Sequence, residues 1–187
     1  MKLLKKKNCP AEGPAKTKAA ESGKEAVKSP FPFFVNIIII VTAAALLFAS
    51  FIFPVMLISG DSMEPGLNDG NLILLIKTHD PAPGDLVGFK WDNKTLLKRV
   101  IACEGDWVMI DNDGRVYVNG NLLDEPYVSK FSFGESDVTY PIQVPEDSYF
   151  VMGDERESSL DSRSTIVGCI KDDQMIGKGI LRIWPLF

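Results

Sequence analysis

The sequence predicts a mainly β protein: an antiparallel β-barrel or sandwich-like domain behind one N-terminal transmembrane helix. Two observations carry this. Residues 33–53 hold no charge over 21 positions, and from Asn71 onward short β-branched or aromatic runs alternate with turn residues. Composition agrees: 187 residues, 45% hydrophobic and 24% charged, suit one globular domain with an appendage, and fit neither a disordered chain nor a polytopic membrane protein.

Each element has its own reason. Residues 1–30 carry eight lysines against three glutamates and few apolar side chains, so they read as a flexible basic cytoplasmic tail. In 33–53 only Asn36, Thr42 and Ser50 are polar, and at a rise of about 1.5 Å per residue this length spans about 30 Å of hydrocarbon. A cleaved signal peptide has a shorter apolar core, roughly 7 to 15 residues. Residues 31–58 therefore read as a transmembrane helix and membrane-exit segment, with Pro54 ending or kinking the helix and 55–58 lying at the interface or starting a strand. All leader lysines precede the span, which places the N-terminus inside and the β-rich domain, 59–187, outside. In that domain, 72–76, 86–89, 96–102, 107–110, 116–118, 149–152 and 180–184 read as strands. Asp113-Gly114 and Asn119-Gly120 read as type I′ hairpin turns, and 172–176 as the start of a short helix.

Charge and residue counts exclude whole classes of chemistry. Beyond the leader, 12 basic residues face 22 acidic ones, which argues against nucleic-acid binding. One histidine and three cysteines (Cys9, Cys103, Cys169) cannot build a His-rich zinc site or a disulfide-dense scaffold, so neither metal nor cofactor is expected. Cys103 and Cys169 fall outside the membrane, where a disulfide is permitted, and read as two buried thiols. Chemistry must then come from Ser, Lys, Asp, Glu or Arg.

Three polar clusters stand beside apolar runs: Ser59-Gly60-Asp61-Ser62-Met63-Glu64-Pro65, Lys98-Arg99, and Gly153-Asp154-Glu155-Arg156-Glu157-Ser158-Ser159-Leu160-Asp161-Ser162-Arg163. Singly they read as a turn serine, an edge-strand lysine and a solvated loop of acid–arginine pairs. Yet strand alternation puts Leu96 and Val100 on the face of Lys98. If that face is buried, desolvation lowers the lysine pKa and leaves a neutral amine able to act as a base. A serine nucleophile needs such a partner, and the sole histidine, His79, sits in a proline-flanked loop with no apolar setting. A Ser/Lys pair remains.

Together these residues resemble the bacterial type I signal peptidases, membrane-anchored serine proteases, over about residues 33–187. Ser62-Met63-Glu64-Pro65-Gly66-Leu67 is similar to the nucleophile box, Gly84-Asp85-Leu86-Val87-Gly88-Phe89-Lys90 to a structural strand motif, Lys98-Arg99-Val100-Ile101 with Gly105-Asp106 to the base box, and 153–163 to the last box. The resemblance implies Ser62 as nucleophile, Lys98 as general base, Ser159 as the hydroxyl that orients the lysine, and Asp161 with Arg163 as the pair bracing the loop. It also implies secretory preproteins as substrates, cleaved after small residues, and a single-pass enzyme in the bacterial cytoplasmic (inner) membrane in contact with the lipid bilayer. Ile58 and Leu97 are candidates for lining shallow substrate pockets, core packing being the alternative. Gly66, Glu155 and Glu157 depart from the family pattern, and Gly60 stands where some members carry a hydroxyl that helps bind the oxyanion. Competing readings are a peptidase dedicated to one export or pilin substrate, an inactive anchored scaffold of the same fold, and a self-cleaving repressor-type protease, the last opposed by the span and the acidic exterior.

Overall fold

The structure, a computed structural model, describes residues 31–78 and 80–185; the basic leader, Cys9 and His79 lie outside the described residues. The chain separates into two compact units at residues 39 and 40. Helix α1 (Phe31–Ile52) matches the uncharged stretch, and its large side chains from Phe33 to Phe51 are exposed, as a helix whose apolar surface faces lipid requires. Phe33–Ile52 is long and apolar enough to cross a membrane.

Among the described residues the second unit holds eleven strands: β1 (Val55–Leu57), β2 (Leu72–Ile76), β3 (Leu86–Trp91), β4 (Lys94–Ala102), β5 (Trp107–Ile110), β6 (Val116–Val118), β7 (Asn121–Leu122), β8 (Ile142–Gln143), β9 (Ser148–Met152), β10 (Ile170–Lys171) and β11 (Met175–Trp184). They form a seven-stranded sheet in the order β1-β2-β11-β3-β4-β9-β10 and a four-stranded sheet in the order β7-β6-β5-β8. Every pairing is antiparallel, so the expected mainly β class is the one observed. Neither sheet closes into a barrel.

Strand β4 is the hinge of the packing, because its residues enter all three apolar clusters. Ile101 and Ala102 join Val108, Ile110, Val116, Phe150 and Met152; Leu97 joins Met56, Ile58, Met63, Ile73 and Leu75; Val100 joins Val87, Phe89, Val151 and Ile170. Each fully buried side chain of this size contributes about 1.5–3 kcal/mol. A nine-residue strand wedged among three clusters cannot slip register without exposing several of them.

Differences from the expected elements have local causes. Residues 55–57 form a strand, Val55 pairing with Leu74. The tract expected to start a helix makes only a 3-10 turn, Asp172–Gln174, because Met175 already pairs with Phe89 of β3. Strand β11 thus begins earlier than position 180; Gly177, Gly179 and register shifts interrupt the alternation that would have revealed it. Asn119 (φ 52°) and Gly120 (φ 81°) make the expected turn, both with positive φ. At 113–114 only Gly114 has positive φ (81°), and Asp111 ties the loop by accepting from the N–H groups of Asp113 (3.0 Å) and Arg115 (2.8 Å). That hairpin therefore does not use a type I′ turn.

Gly114 and Gly120 share φ 81° but differ in space: a Cβ at Gly114 would lie 2.4 Å from the Ser132 backbone, whereas at Gly120 nothing stands within 4 Å. Gly114→Ala should therefore lower stability by roughly 2–4 kcal/mol and Gly120→Ala by about 1 kcal/mol, read by thermal melting in detergent; equal losses would contradict the packing.

Candidate active site

The loop after β1 presents Ser62 because both its flanks are pinned. Ile58 exchanges backbone hydrogen bonds with the return segment, its N–H to Asn71 O (2.8 Å) and its carbonyl from Gly70 N–H (3.0 Å). Gly60 turns the chain at φ 95° and donates its N–H to Asp69 Oδ1 at 2.8 Å. Met63, next to the serine, is buried with Ile58 and Leu97. The half-buried Ser62 accepts at its carbonyl from Glu155 N–H (3.2 Å), which ties it to the segment after β9.

Lys98 approaches from the middle of β4, opposite Val87. It is 2% exposed, so the buried-face alternative is the one observed, and its Nζ donates to Ser62 Oγ at 2.6 Å. Burial drives its pKa down to about 8, against the pull of Asp161; Arg163 lowers it further, while Asp154 and Asp61 raise it. Desolvation is the largest influence, and two of the three carboxylates that oppose it are engaged by arginines: Asp161 by Arg163 (2.9 Å) and Asp154 by Arg99 (2.8 and 2.6 Å). With the amine neutral, the same contact can run from the serine O–H to the nitrogen lone pair, the geometry required of a nucleophile and its base.

The stretch 153–163 is a buried scaffold and not a solvated loop: Asp154, Arg156, Ser159, Asp161, Ser162 and Arg163 are all buried. Asp161 and Arg163 form a fully buried pair, and Arg163 also donates to the carbonyls of Arg156, Ser132 and Phe133. Ser159 differs from the expectation. Its Oγ is buried without a hydrogen-bond partner, so in this structure it does not hold the lysine. It is nonetheless close, because Gly153 carries no side chain: a Cβ there would lie 2.1 Å from Ser159 Oγ and 2.6 Å from Ser62 O.

Ile58 and Leu97, each 5% exposed, pack in one apolar cluster with Met63, the neighbour of Ser62; the core-packing alternative describes their present state. Cys103 and Cys169 are free thiols, half-buried where full burial was expected, and burial pushes the Cys169 thiol up to about 11. Sequence reasoning did not single out Gly153, Glu125, Tyr127 or the Arg99–Asp154 and Glu125–Arg156 pairs. A signal existed for the arginines, which lie within or beside apolar strands; Glu125 and Tyr127 sit in a polar connection with no pattern to mark them.

A buried amine with a lowered pKa thus stands against a half-buried hydroxyl, and comparison with known proteins gives the family. Residues 33–184 match the family model described as signal peptidase, peptidase S26. A signal peptidase I of Bacillus amyloliquefaciens is 33% identical over 177 residues, covering 89% of this chain and 95% of its own. One from Bacillus licheniformis is 35% identical over 165 residues, covering 81% and 88%. The crystal structure of a signal peptidase I from Enterococcus faecalis V583 is 29% identical and covers 53% of this chain and 96% of that one, with a TM-score of 0.43. The chain belongs to the signal peptidase S26 family and is a serine endopeptidase.

The lowered lysine pKa has a stability consequence. Between about pH 8 and 10.5 the unfolded chain binds the lysine proton and the folded chain does not, so this group's contribution makes stability rise with pH through that window. Below pH 8 the folded protein carries the full cost of a buried ammonium, about 3 kcal/mol at one pKa unit per 1.36 kcal/mol. Lys98→Met should therefore raise stability at pH 7 by about 1–3 kcal/mol, with the gain vanishing near pH 10.5; a loss at pH 7 would contradict it.

Proposed function

We propose that this peptidase is a single-pass protein of the bacterial inner membrane that removes signal peptides from exported preproteins after small residues, with Ser62 as nucleophile and Lys98 as general base. The observation that carries the reading is the 2.6 Å contact between the Ser62 hydroxyl and an amine that is 2% exposed. Neutral Lys98 takes the Ser62 proton as Oγ attacks the scissile carbonyl. The resulting ammonium protonates the departing amine, leaving an ester on Ser62. Lys98, neutral again, then takes a proton from water as the water oxygen attacks the ester, and returns that proton to Ser62 Oγ as the acid is released, restoring both groups. The Ser62 N–H, which donates to no described residue, is available to the oxyanion.

Substrate class follows from the family and from placement. The relatives are named signal peptidases. Ser62 follows the apolar stretch by nine residues, and exposed apolar side chains on β1 (Val55, Leu57) and β11 (Ile180, Leu181, Trp184) suit a surface that rests on lipid. The leader lysines favour residues 1–30 as a cytoplasmic tail, 31–58 as anchor and exit, and 59–187 as the outer peptidase domain. Ile58 and Leu97 suit the floor of shallow pockets that admit only small side chains. Ser159, Asp161 and Arg163 serve as supports, Ser159 meeting the amine once catalysis displaces the Ser62–Lys98 bond.

Detergent-solubilised full-length protein should cleave a preprotein with small residues before the scissile bond. Ser62→Ala or Lys98→Met should lower kcat by at least about 1,000-fold, and kcat/KM of the native enzyme should climb about tenfold per pH unit up to about pH 8, then level as Lys98 becomes neutral. Turnover retained in either variant, or a profile flat from pH 5 to 9, would overturn the dyad.

A further inference from the structure

The segment after β7 reaches the site through two adjacent grips. Glu125, its side chain fully buried, accepts from both terminal nitrogens of Arg156, at 3.2 and 2.5 Å. Arg156 in turn donates its Nε to Gly153 O at 3.0 Å, while Gly153 N–H donates to Asp161 Oδ2 at 2.9 Å. Both peptide groups of Gly153 are thereby fixed. Tyr127, two residues on, donates its hydroxyl to Glu125 Oε1 at 3.0 Å and lays its ring 4.0 Å from the Arg99 guanidinium carbon. Arg99 is held at its other side by Asp154 in a two-point contact.

These two anchor points, Gly153 and Arg99, are the immediate surroundings of Lys98. Arg99 follows it in β4 and pairs with Met152, the last residue of β9, so Gly153 is the next residue along the strand that flanks Lys98. Gly153 is also where Ser62 O and Ser159 Oγ enter the space a Cβ would fill. A shift of this backbone moves the serine and the lysine relative to each other.

We infer that Glu125 and Tyr127 are positioning residues for the Ser62–Lys98 pair, acting through Arg156 on the Gly153 peptide and through Arg99 on β4. The inference rests on Ser62 and Lys98 being the reacting groups. A fully buried ion pair is a poor source of stability, since an apolar pair of similar volume serves as well or better. What an apolar replacement cannot supply is the directed donor to Gly153 O.

That difference separates the two roles by experiment. Glu125→Leu alone leaves Arg156 buried and unpaired, and should destabilise the protein. The double variant Glu125→Leu/Arg156→Met removes both charges and should recover thermal stability, while kcat for preprotein cleavage stays about 10- to 100-fold low with KM changed less than about threefold. Tyr127→Leu should lower kcat in the same way, and Tyr127→Phe, which keeps the ring over Arg99, should rescue most of that loss. A stable double variant with native kcat, or Tyr127→Leu with native kcat, would overturn the positioning role. Turnover surviving in Ser62→Ala would instead overturn the dyad reading on which it rests.

Discussion

The chemistry proposed for this site depends on one desolvated amine. Lys98 stands within electrostatic reach of Asp161, Asp154 and Asp61, any of which favours the ammonium, yet its pKa falls to about 8. The site achieves this by spending its carboxylates elsewhere. Asp161 is closed on Arg163 and Asp154 on Arg99, so their fields at Lys98 are partly cancelled and burial decides the outcome. Free either carboxylate of its arginine and the lysine would hold its proton more tightly, at the expense of basicity near neutral pH.

The fold supports that balance by placing the amine on a strand paired on both sides. β4 joins the two sheets' clusters and pairs with β3 and β9, so Lys98 is carried by backbone fixed on both sides. Ser62 comes from a loop, which is softer, and the structure compensates by anchoring Met63 in the core and the Ser62 carbonyl on Glu155. A strand-borne amine facing a tethered serine is what the 2.6 Å contact rests on, and it is the preorganisation that the proposed base and nucleophile would need.

How much of this the sequence revealed follows from the range of each interaction. The helix, most strands and the Asn119-Gly120 turn were legible because they depend on local periodicity or on φ at one or two residues. The burial of Lys98 was legible because Leu96 and Val100 share its face. The two-residue strands β7, β8 and β10 were not, since pairs that short carry no alternation, and the first half of β11 was hidden by its glycines and bulges. The ion pairs around Lys98 join residues up to 55 positions apart, Arg99 to Asp154, and no spacing rule reports such contacts. Ser159 shows the opposite limit: the resemblance implied a hydrogen bond from its hydroxyl to the lysine, but the hydroxyl is buried without a partner here.

The most direct measurement is the titration of the Lys98 side-chain nitrogen itself, by NMR of the solubilised protein with isotope-labelled lysine, assigned by loss of the signal in Lys98→Met. A midpoint near 8 is the predicted result. A midpoint near the ordinary lysine value, about 10.5, would mean that water reaches the amine, and would contradict a serine protease run by a dry lysine.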